Sequence, residues 1–330
     1  MSVLEVQRPT SSLNDDNEFR NDILTGLSST PRRIAPRWLY DSKGSALFEA
    51  ITQLPEYYPY RAERSILQTN VADMCRILGC GRMLVEFGSG SSTKTPILLQ
   101  ALAPASYVPI DISGEFLRGS VGALRKRFPH IPMLPVEADF TKPISLPARP
   151  ISLPSVISCE SPIGFFPGST LGNSTPYDAV NLLRTIGLTL GSGASLLIGL
   201  DMIKDTRVLI PAYDDATGVT AQFNLNLLHR INRELRANIP VSRFEHLVRW
   251  NSLDSRIEMH LRATEPVFFE IDGVPFQLVA DETIHTENSY KYDIPSARTL
   301  LRAGGWAPVA EWTDPDGLFA MILASDAAAS

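Results

Sequence analysis

The chain has 330 residues, of which 44% are hydrophobic and 20% charged, and its formal net charge is −6. This composition is that of a globular protein with one elaborated domain or two modest ones, long enough to bury a core without cross-links. The negative charge, with no run of Lys and Arg interleaved with aromatic residues, argues against nucleic acid as a partner.

The sequence also gives no indication of an export signal, a membrane span or a metal site. The first twenty residues lack the basic start and apolar core of a secretory signal, and no stretch approaches about 20 consecutive apolar residues. Cys75, Cys80 and Cys159 show no CxxC spacing, and the five histidines form no HxH or HxxxH pair. We therefore expect a cytoplasmic protein without membrane association or metal, beginning with a flexible arm over residues 1–16.

Helix-like and strand-like segments alternate from residue 62 to residue 202. This alternation predicts right-handed crossovers and a parallel sheet covered on both faces. A proline-rich stretch, residues 145–155, is the one segment that composition alone assigns to a loop. The predicted elements are helices over 62–78, 93–103, 115–128 and 178–190, and strands over 82–88, 106–113, 131–140, 155–169 and 194–202.

The alternation stops between about residues 204 and 287, where a long helix and antiparallel strands are predicted. After this segment come a further helix and a terminal hairpin around the turn Asp314-Pro315-Asp316-Gly317. A parallel sheet that ends in a hairpin is typical of Rossmann-like methyltransferases and unusual in dinucleotide dehydrogenases. The predicted elements are helices over 218–235 and 294–305, and strands over 256–264, 266–272 and 276–284.

Glycines follow the first predicted strand directly, in the stretch Glu86-Phe87-Gly88-Ser89-Gly90. Such glycines let the backbone approach a ligand closely, beside the free N–H groups of the next helix. GSGSSTKT is neither GxxxxGK[ST] nor GxGxxG, which weakens a mononucleotide or dinucleotide interpretation. It looks instead like the first motif of S-adenosylmethionine-dependent methyltransferases, whose product is S-adenosylhomocysteine.

Acidic residues end the second and third predicted strands. Asp111 stands where this class of enzymes holds the ribose, and a carboxylate can accept two hydroxyl hydrogen bonds at once. Asp139 and Phe140 fit the pair that meets the adenine. Each feature has an ordinary alternative, because a lone GxG is often only a tight turn and aspartates often cap helices. The order of the three features along the chain favours the cofactor site.

Five longer stretches carry a more specific resemblance. They read PRWLYDSKGSALFEAITQLPEYYPYRAE, PGSTLGNSTP, AYDDATGVTAQFN, RWNSLDSRIEMHLRA and TENSYKY. Together they resemble the bacterial histidine N-alpha-methyltransferases of ergothioneine biosynthesis, over residues 19–323. The resemblance implies that histidine is methylated three times on its α-amine, through mono- and dimethylated intermediates, to give hercynine. It also implies an α/β, Rossmann-like class I methyltransferase domain with a C-terminal β-hairpin over 61–203 and 290–330, and an α+β substrate domain over 17–60 and 204–289.

The resemblance assigns roles to individual residues. Asn173, Tyr40 and Tyr213 are the expected catalytic residues, close to the α-amine, and Phe223 an apolar wall. The expected cofactor residues are Gly88, Lys94, Asp111, Asp139, Phe140, Gly168 and Ser169. The expected substrate residues are Tyr57, Asn173, Tyr213, Met259, Glu287 and Ser289.

These residue types suit methyl transfer to an amine. The nucleophile must be a neutral amine aimed at the methyl carbon, so positioning by uncharged groups should supply most of the acceleration. Glu287 and Ser289 would be satisfied by an imidazole and left unpaired by phenylalanine. Two alternatives stay open: an N-methyltransferase of another amino acid, such as a tryptophan derivative, or a non-catalytic cofactor-binding homologue. Without the resemblance, Glu287 and Ser289 would merely share a strand face.

Overall fold

A computed structural model describes residues 12–147 and 161–327 of the chain. Its helices are α1 (Ser12–Ser28), α2 (Ser42–Thr52), α3 (Tyr58–Leu78), α4 (Thr95–Leu102), α5 (Gly114–Arg127), α6 (Pro176–Leu190), α7 (Thr206–Tyr213), α8 (Val219–Glu234) and α9 (Ile294–Ala303). Its strands are β1 (Met83–Phe87), β2 (Ser106–Asp111), β3 (Val136–Glu137), β4 (Ile163–Phe166), β5 (Ser195–Asp201), β6 (Phe244–Asn251), β7 (Arg256–Ala263), β8 (Val267–Ile271), β9 (Val274–Leu278), β10 (Thr283–Tyr290), β11 (Trp306–Thr313) and β12 (Phe319–Asp326).

The described residues form two compact units. Unit 1 contains residues 59–203 and 291–327, and unit 2 contains residues 12–58 and 204–290. Helix α1 begins at Ser12, so the predicted flexible arm is wrong for its last five residues. The polar residues at the start of the helix are compatible with a helix N-terminus. The buried residues Phe19, Ile23 and Leu27 follow them at helical spacing. The rest of the arm, most of the 145–155 loop and Cys159 lie outside the described residues.

Unit 1 is built on a seven-stranded sheet in the order β11-β12-β5-β4-β1-β2-β3. The strands β1 to β5 are parallel, β12 runs antiparallel to β5, and β11 runs antiparallel to β12. Every residue of β1 and β4 is buried, as expected for a sheet covered on both faces. The predicted Rossmann-like α/β fold with a terminal hairpin is confirmed. Its strand order reverses between β1 and β4, where open sheets of this kind bind ligands beyond the carboxyl ends of the strands.

The third strand is shorter than the predicted 131–140. Its ladder is limited to Val136 and Glu137, preceded by a bridge between Met133 and Tyr107. Pro132 and Pro135 have no N–H to donate, so a continuous ladder cannot form along this segment.

Unit 2 is an α+β unit, as predicted. It contains the antiparallel sheet β10-β7-β6, the hairpin β8-β9 and the helices α1, α2, α7 and α8. The predicted strand over 276–284 is interrupted by a turn at Asp281, whose φ is +67°. An aspartate tolerates this left-handed conformation, so the segment divides into the end of β9 and the start of β10. Strand β6 was not predicted. Most of its side chains are half-buried, and buried and exposed positions do not alternate clearly along it.

None of the described helices combines the length and the apolar character that crossing a bilayer requires.

Candidate functional site

The glycine turn after β1 lies over the end of β2. The N–H groups of Gly88 and Ser89 both donate to the carbonyl of Ile110, at 2.9 and 3.1 Å. Gly88 and Gly90 have φ values of +68° and +48°, a region that favours glycine. A Cβ at Gly88 would lie 3.5 Å from the ring of Phe140, whereas one at Gly90 would meet no atom within 4 Å. The turn therefore presents open backbone beside an aromatic ring.

Asp111 ties this turn to the end of β2. Its Oδ2 accepts the N–H of Gly90 at 2.8 Å, and its Oδ1 accepts the N–H of Ser113 at 2.9 Å. Burial raises the pKa of Asp111, and the backbone N–H groups of Ser113, Gly90 and Ile112 act against this. A carboxylate has about four lone-pair sites, so these backbone donors leave Asp111 capacity to accept a ligand hydroxyl.

Asp139 and Phe140 lie just beyond β3. Thr141 donates its N–H and its hydroxyl to Asp139 Oδ1, at 2.9 and 2.6 Å. The Phe140 ring meets Phe166 edge-on, at 5.6 Å between centroids. Through its contact with Gly88, Phe140 joins the predicted cofactor residues at the carboxyl edge of the sheet.

The loop after β4 contains two left-handed residues in succession. Gly168 has φ +76° and Ser169 has φ +57°. Ser169 Oγ accepts the N–H of Asp201 at 2.9 Å, and a 3-10 turn over Thr170–Asn173 follows. This turn places Asn173 beyond the end of β4.

Lys94 is bound to Glu63, a residue that was not predicted from the sequence. Its Nζ forms an ion pair with Glu63 of α3 and lies 5.4 Å from the centroid of the Tyr60 ring. Glu63 ends the first of the five resemblance stretches, which is the only sequence signal that marks it.

Glu86 forms a second buried network beneath the glycine turn. Its side chain accepts hydrogen bonds from Thr95 Oγ1 at 2.7 Å and Tyr107 Oη at 2.5 Å, and Tyr107 Oη also contacts Ser92 Oγ at 3.1 Å. Burial raises the pKa of Glu86 from its ordinary 4.5 to about 7, although the bonds from Tyr107 and Thr95 lower it. Glu86 therefore joins β1 to β2, to the start of α4 and to the turn itself.

The raised pKa of Glu86 predicts a pH-dependent stability. The folded state holds this proton more tightly than the unfolded chain, so the contribution of Glu86 is most favourable below pH 4.5 and declines as the pH rises to about 7. Lys94 lowers the pKa of Glu86 and Glu63 raises it, both through charge. Glu86→Gln removes the titration. As the pH rises from 4.5 to 8, the free energy of unfolding of the variant relative to that of the wild type should therefore increase by about 3 kcal/mol.

Urea unfolding of both proteins across this range measures the difference. Because the other ionisable groups are common to both chains, their contributions cancel to first order. Parallel stability curves would contradict the predicted titration of Glu86.

In unit 2, five aromatic rings form a continuous cluster. The ring centroids of Tyr40 and Phe48 are 5.7 Å apart, those of Phe48 and Tyr57 6.1 Å, and those of Tyr57 and Tyr213 6.3 Å. Phe223 lies 5.5 Å from Tyr40. Four of these residues were expected from the sequence, whereas Phe48 was not, although it lies within the first resemblance stretch.

A carboxylate and a hydroxyl adjoin this aromatic cluster. Tyr213 Oη lies 2.7 Å from Ser289 Oγ, and Tyr40 Oη donates to Glu287 Oε1 at 3.5 Å. Glu287 and Ser289 are two residues apart on β10 and so share a face, and they are only 7% and 5% exposed. Met259 is paired with Glu287 from the neighbouring strand β7. The structure thus brings the predicted substrate residues of unit 2 together.

His246 holds the backbone of Tyr213, a role that the sequence did not reveal. The Asn224 amide donates to His246 Nδ1 at 3.0 Å, so Nδ1 is the acceptor and Nε2 carries the proton. Nε2 donates this proton to the carbonyl of Tyr213 at 2.8 Å. Burial lowers the pKa of His246, which favours this neutral form.

The histidines are less scattered than the sequence indicated. His260 and His285 pair across β7 and β10, with ring centroids 5.0 Å apart, and burial lowers the pKa of both. Across residues 12–147 and 161–327, no group of three or more His, Cys, Asp and Glu side chains is arranged to hold a metal ion.

Comparisons with known proteins identify the family of this chain. A family described as "Histidine-specific methyltransferase, SAM-dependent" matches residues 19–326. The histidine N-alpha-methyltransferase of Mycolicibacterium smegmatis is 39% identical, covering 93% of this chain and 94% of that protein. The protein of the same name from Mycobacterium tuberculosis is 38% identical with the same coverage. The 4-dimethylallyltryptophan N-methyltransferase of Claviceps purpurea is 24% identical, covering 91% of this chain and 92% of that protein.

The family match covers nearly the whole chain. The chain also has a Rossmann-like sheet with a glycine turn after β1 and acidic residues at the ends of strands. The chain belongs to the family of histidine-specific, S-adenosylmethionine-dependent methyltransferases.

Proposed function

We propose that this chain transfers methyl groups from S-adenosylmethionine to the α-amine of L-histidine three times, giving hercynine for ergothioneine biosynthesis. The observation that carries the proposal is the pair Glu287 and Ser289 beside the aromatic cluster of unit 2. A carboxylate and a hydroxyl on one face can each engage an imidazole nitrogen. Indole offers a single donor and does not need both.

The residues of unit 1 fit S-adenosylmethionine. Asp111 would accept the ribose hydroxyls, and Asp139 with Phe140 would hold the adenine. The left-handed backbone at Gly88 and Gly168, with Ser169 and Lys94, would line the methionine portion. When bound, the cofactor supplies an electrophilic methyl group on a sulfonium.

The residues of unit 2, with Asn173, would bind and orient the amino acid. Glu287 and Ser289 would hold the imidazole, and Tyr57, Met259 and Phe223 would form the walls. Asn173, Tyr40 and Tyr213 would aim the α-amine at the methyl carbon without adding a carboxylate beside it, because a nearby negative charge would favour the unreactive ammonium.

In each round an N–C bond would form as the C–S bond of the methyl donor breaks, and S-adenosylhomocysteine would be released. The amine gives up a proton to solvent before each attack, and the third transfer leaves a quaternary ammonium. Mono- and dimethylhistidine are the intermediates. Positioning, rather than a strong base, supplies the acceleration.

Cellular setting and domain roles belong to the same proposal. We assign cofactor binding to residues 61–203 and 290–330, and substrate binding to residues 17–60 and 204–289. The reaction would take place in the cytoplasm, with free histidine as substrate and with neither a nucleic acid nor a membrane as partner. The net charge of −6 supports the exclusion of nucleic acid.

Methyl transfer to an equimolar pool of the twenty amino acids and tryptophan derivatives, resolved by mass, tests the proposal. We expect histidine alone to gain three methyl groups, with three S-adenosylhomocysteine released per hercynine. Methylation of a tryptophan derivative would overturn the pocket assignment and leave the cofactor site intact. Cofactor binding without methylation of any acceptor would favour a non-catalytic homologue.

A further inference from the structure

A fully buried carboxylate lies beneath two loops of unit 1. Glu63 of α3 has 0% exposure. Its Oε1 and Oε2 accept the N–H of Gly168, at 3.0 and 3.1 Å, and its Oε2 also forms the ion pair with Lys94. The loop after β1 and the loop after β4 are therefore anchored on the same side chain.

The sheet leaves space for this carboxylate at Gly199 of β5. A Cβ built on Gly199 would lie 2.2 Å from Glu63 Oε1 and 2.9 Å from the Phe319 ring. The backbone of Gly199 is not left-handed, so glycine is required here for space rather than for conformation.

The loop that Glu63 holds is strained. Ser169 is left-handed although it is not glycine, and such a residue persists only where its surroundings determine it. Glu63 acts on the preceding N–H, and the Asp201 N–H bonds to the Ser169 hydroxyl. Burying a charge to hold one N–H is costly unless the carboxylate also pairs with a cation, and Lys94 is that cation.

We propose that Glu63 is a positioning residue for methyl transfer. It holds Lys94 and the Gly168–Ser169 backbone in the geometry that binds the cofactor, and it acts through these groups because its own carboxylate is fully buried. Because β4 leads through the same loop to Asn173, Glu63 also sets the approach of the amino acid. This inference rests on the proposed roles of Lys94, Gly168 and Asn173.

The test compares Glu63→Gln and Glu63→Ala with the wild type, by calorimetric titration of S-adenosylhomocysteine. The glutamine oxygen can still accept the Gly168 N–H but cannot neutralise Lys94, whereas alanine loses both partners. We expect the Kd to rise about tenfold for E63Q and about a hundredfold for E63A. With saturating S-adenosylmethionine, kcat for histidine should also fall, because the loop carrying Asn173 is released.

Asp73→Asn is the matched control on the same helix. Asp73 also pairs with a cation, Arg76, and accepts an N–H, from Trp312 Nε1 at 3.0 Å. D73N should lower Tm and leave the Kd and kcat unchanged. Glu63→Gln with a reduced Tm but wild-type Kd and kcat would reduce Glu63 to a structural role and overturn the proposal.

Gly199→Ala supplies a second route that leaves both charges in place. The added methyl group must displace the Glu63 carboxylate, so G199A should reproduce the weakened S-adenosylhomocysteine binding even if E63Q or E63A does not fold. Wild-type binding by folded G199A would contradict the proposal. Since S-adenosylhomocysteine binding does not depend on the acceptor, these results stand whether or not histidine proves to be the substrate.

Discussion

Replacing Glu287 with alanine is expected to lower kcat/KM for histidine at least about a hundredfold, with the Kd for S-adenosylhomocysteine changed less than about twofold. Glu287 is 7% exposed, and Tyr40 Oη donates to its carboxylate. The truncation would leave an imidazole N–H without an acceptor in a buried pocket, and would remove the hydrogen bond of Tyr40, a proposed orienting residue, to Glu287. Steady-state kinetics with histidine and calorimetric titration of S-adenosylhomocysteine measure the two effects.

Two further variants, Glu287→Gln and Glu258→Gln, serve as controls for the Glu287→Ala result. The Glu287→Gln side chain keeps an acceptor oxygen, so its loss should be smaller than that of alanine. Glu258 of β7 lies opposite Asn288 of β10, so its side chain points to the other face of the sheet from Glu287. Its side chain contacts Arg256 and His260. E258Q should lower Tm without raising KM for histidine. Equal losses of histidine and cofactor affinity in E287A would contradict the assignment of Glu287 to the imidazole.

Replacing Asp111 with alanine is expected to have the opposite selectivity. The variant loses the acceptors of Gly90 and Ser113 and the proposed ribose contact, so the Kd for S-adenosylhomocysteine should rise about a hundredfold, or about 3 kcal/mol. With saturating S-adenosylmethionine, KM for histidine should change little. Calorimetry and kinetics measured at several cofactor concentrations separate the two quantities.

Asp314 provides a matched control for Asp111 within unit 1. Its oxygens also accept two backbone N–H groups, from Phe319 at 2.7 Å and Asp316 at 3.1 Å, in the terminal hairpin. D314A should therefore lose stability as D111A does, but keep its affinity for S-adenosylhomocysteine. If D111A and D314A weaken this binding equally, Asp111 acts only through folding and the ribose assignment is wrong.

The sequence predicted the framework of unit 1 because that framework depends on local periodicity. Buried parallel strands appear as short apolar runs between helical segments, and their carboxyl ends meet at one edge of the sheet. Gly88, Asp111 and Phe140 could therefore be grouped from the positions of strand ends alone. The short β3 departed from the pattern, since Pro132 and Pro135 interrupt its ladder.

The proposed substrate residues of unit 2 were predicted from the resemblance rather than from periodicity. A Glu and a Ser two apart on a strand share a face in any protein, and nothing local states which aromatic rings cover that face. Phe48, which completes the cluster by contacts with Tyr40 and Tyr57, was also not predicted from the sequence.

The sequence by itself determined the α/β fold, its terminal hairpin and the grouping of the proposed cofactor residues at strand ends, because these follow from spacing along the chain. Only the tertiary structure decided which distant residues contact one another. Glu63 accepts a hydrogen bond from Gly168, 105 positions away, and Tyr40 donates one to Glu287, 247 positions away. Such partners are chosen by packing and by the need to satisfy buried polar groups, and no local pattern encodes either.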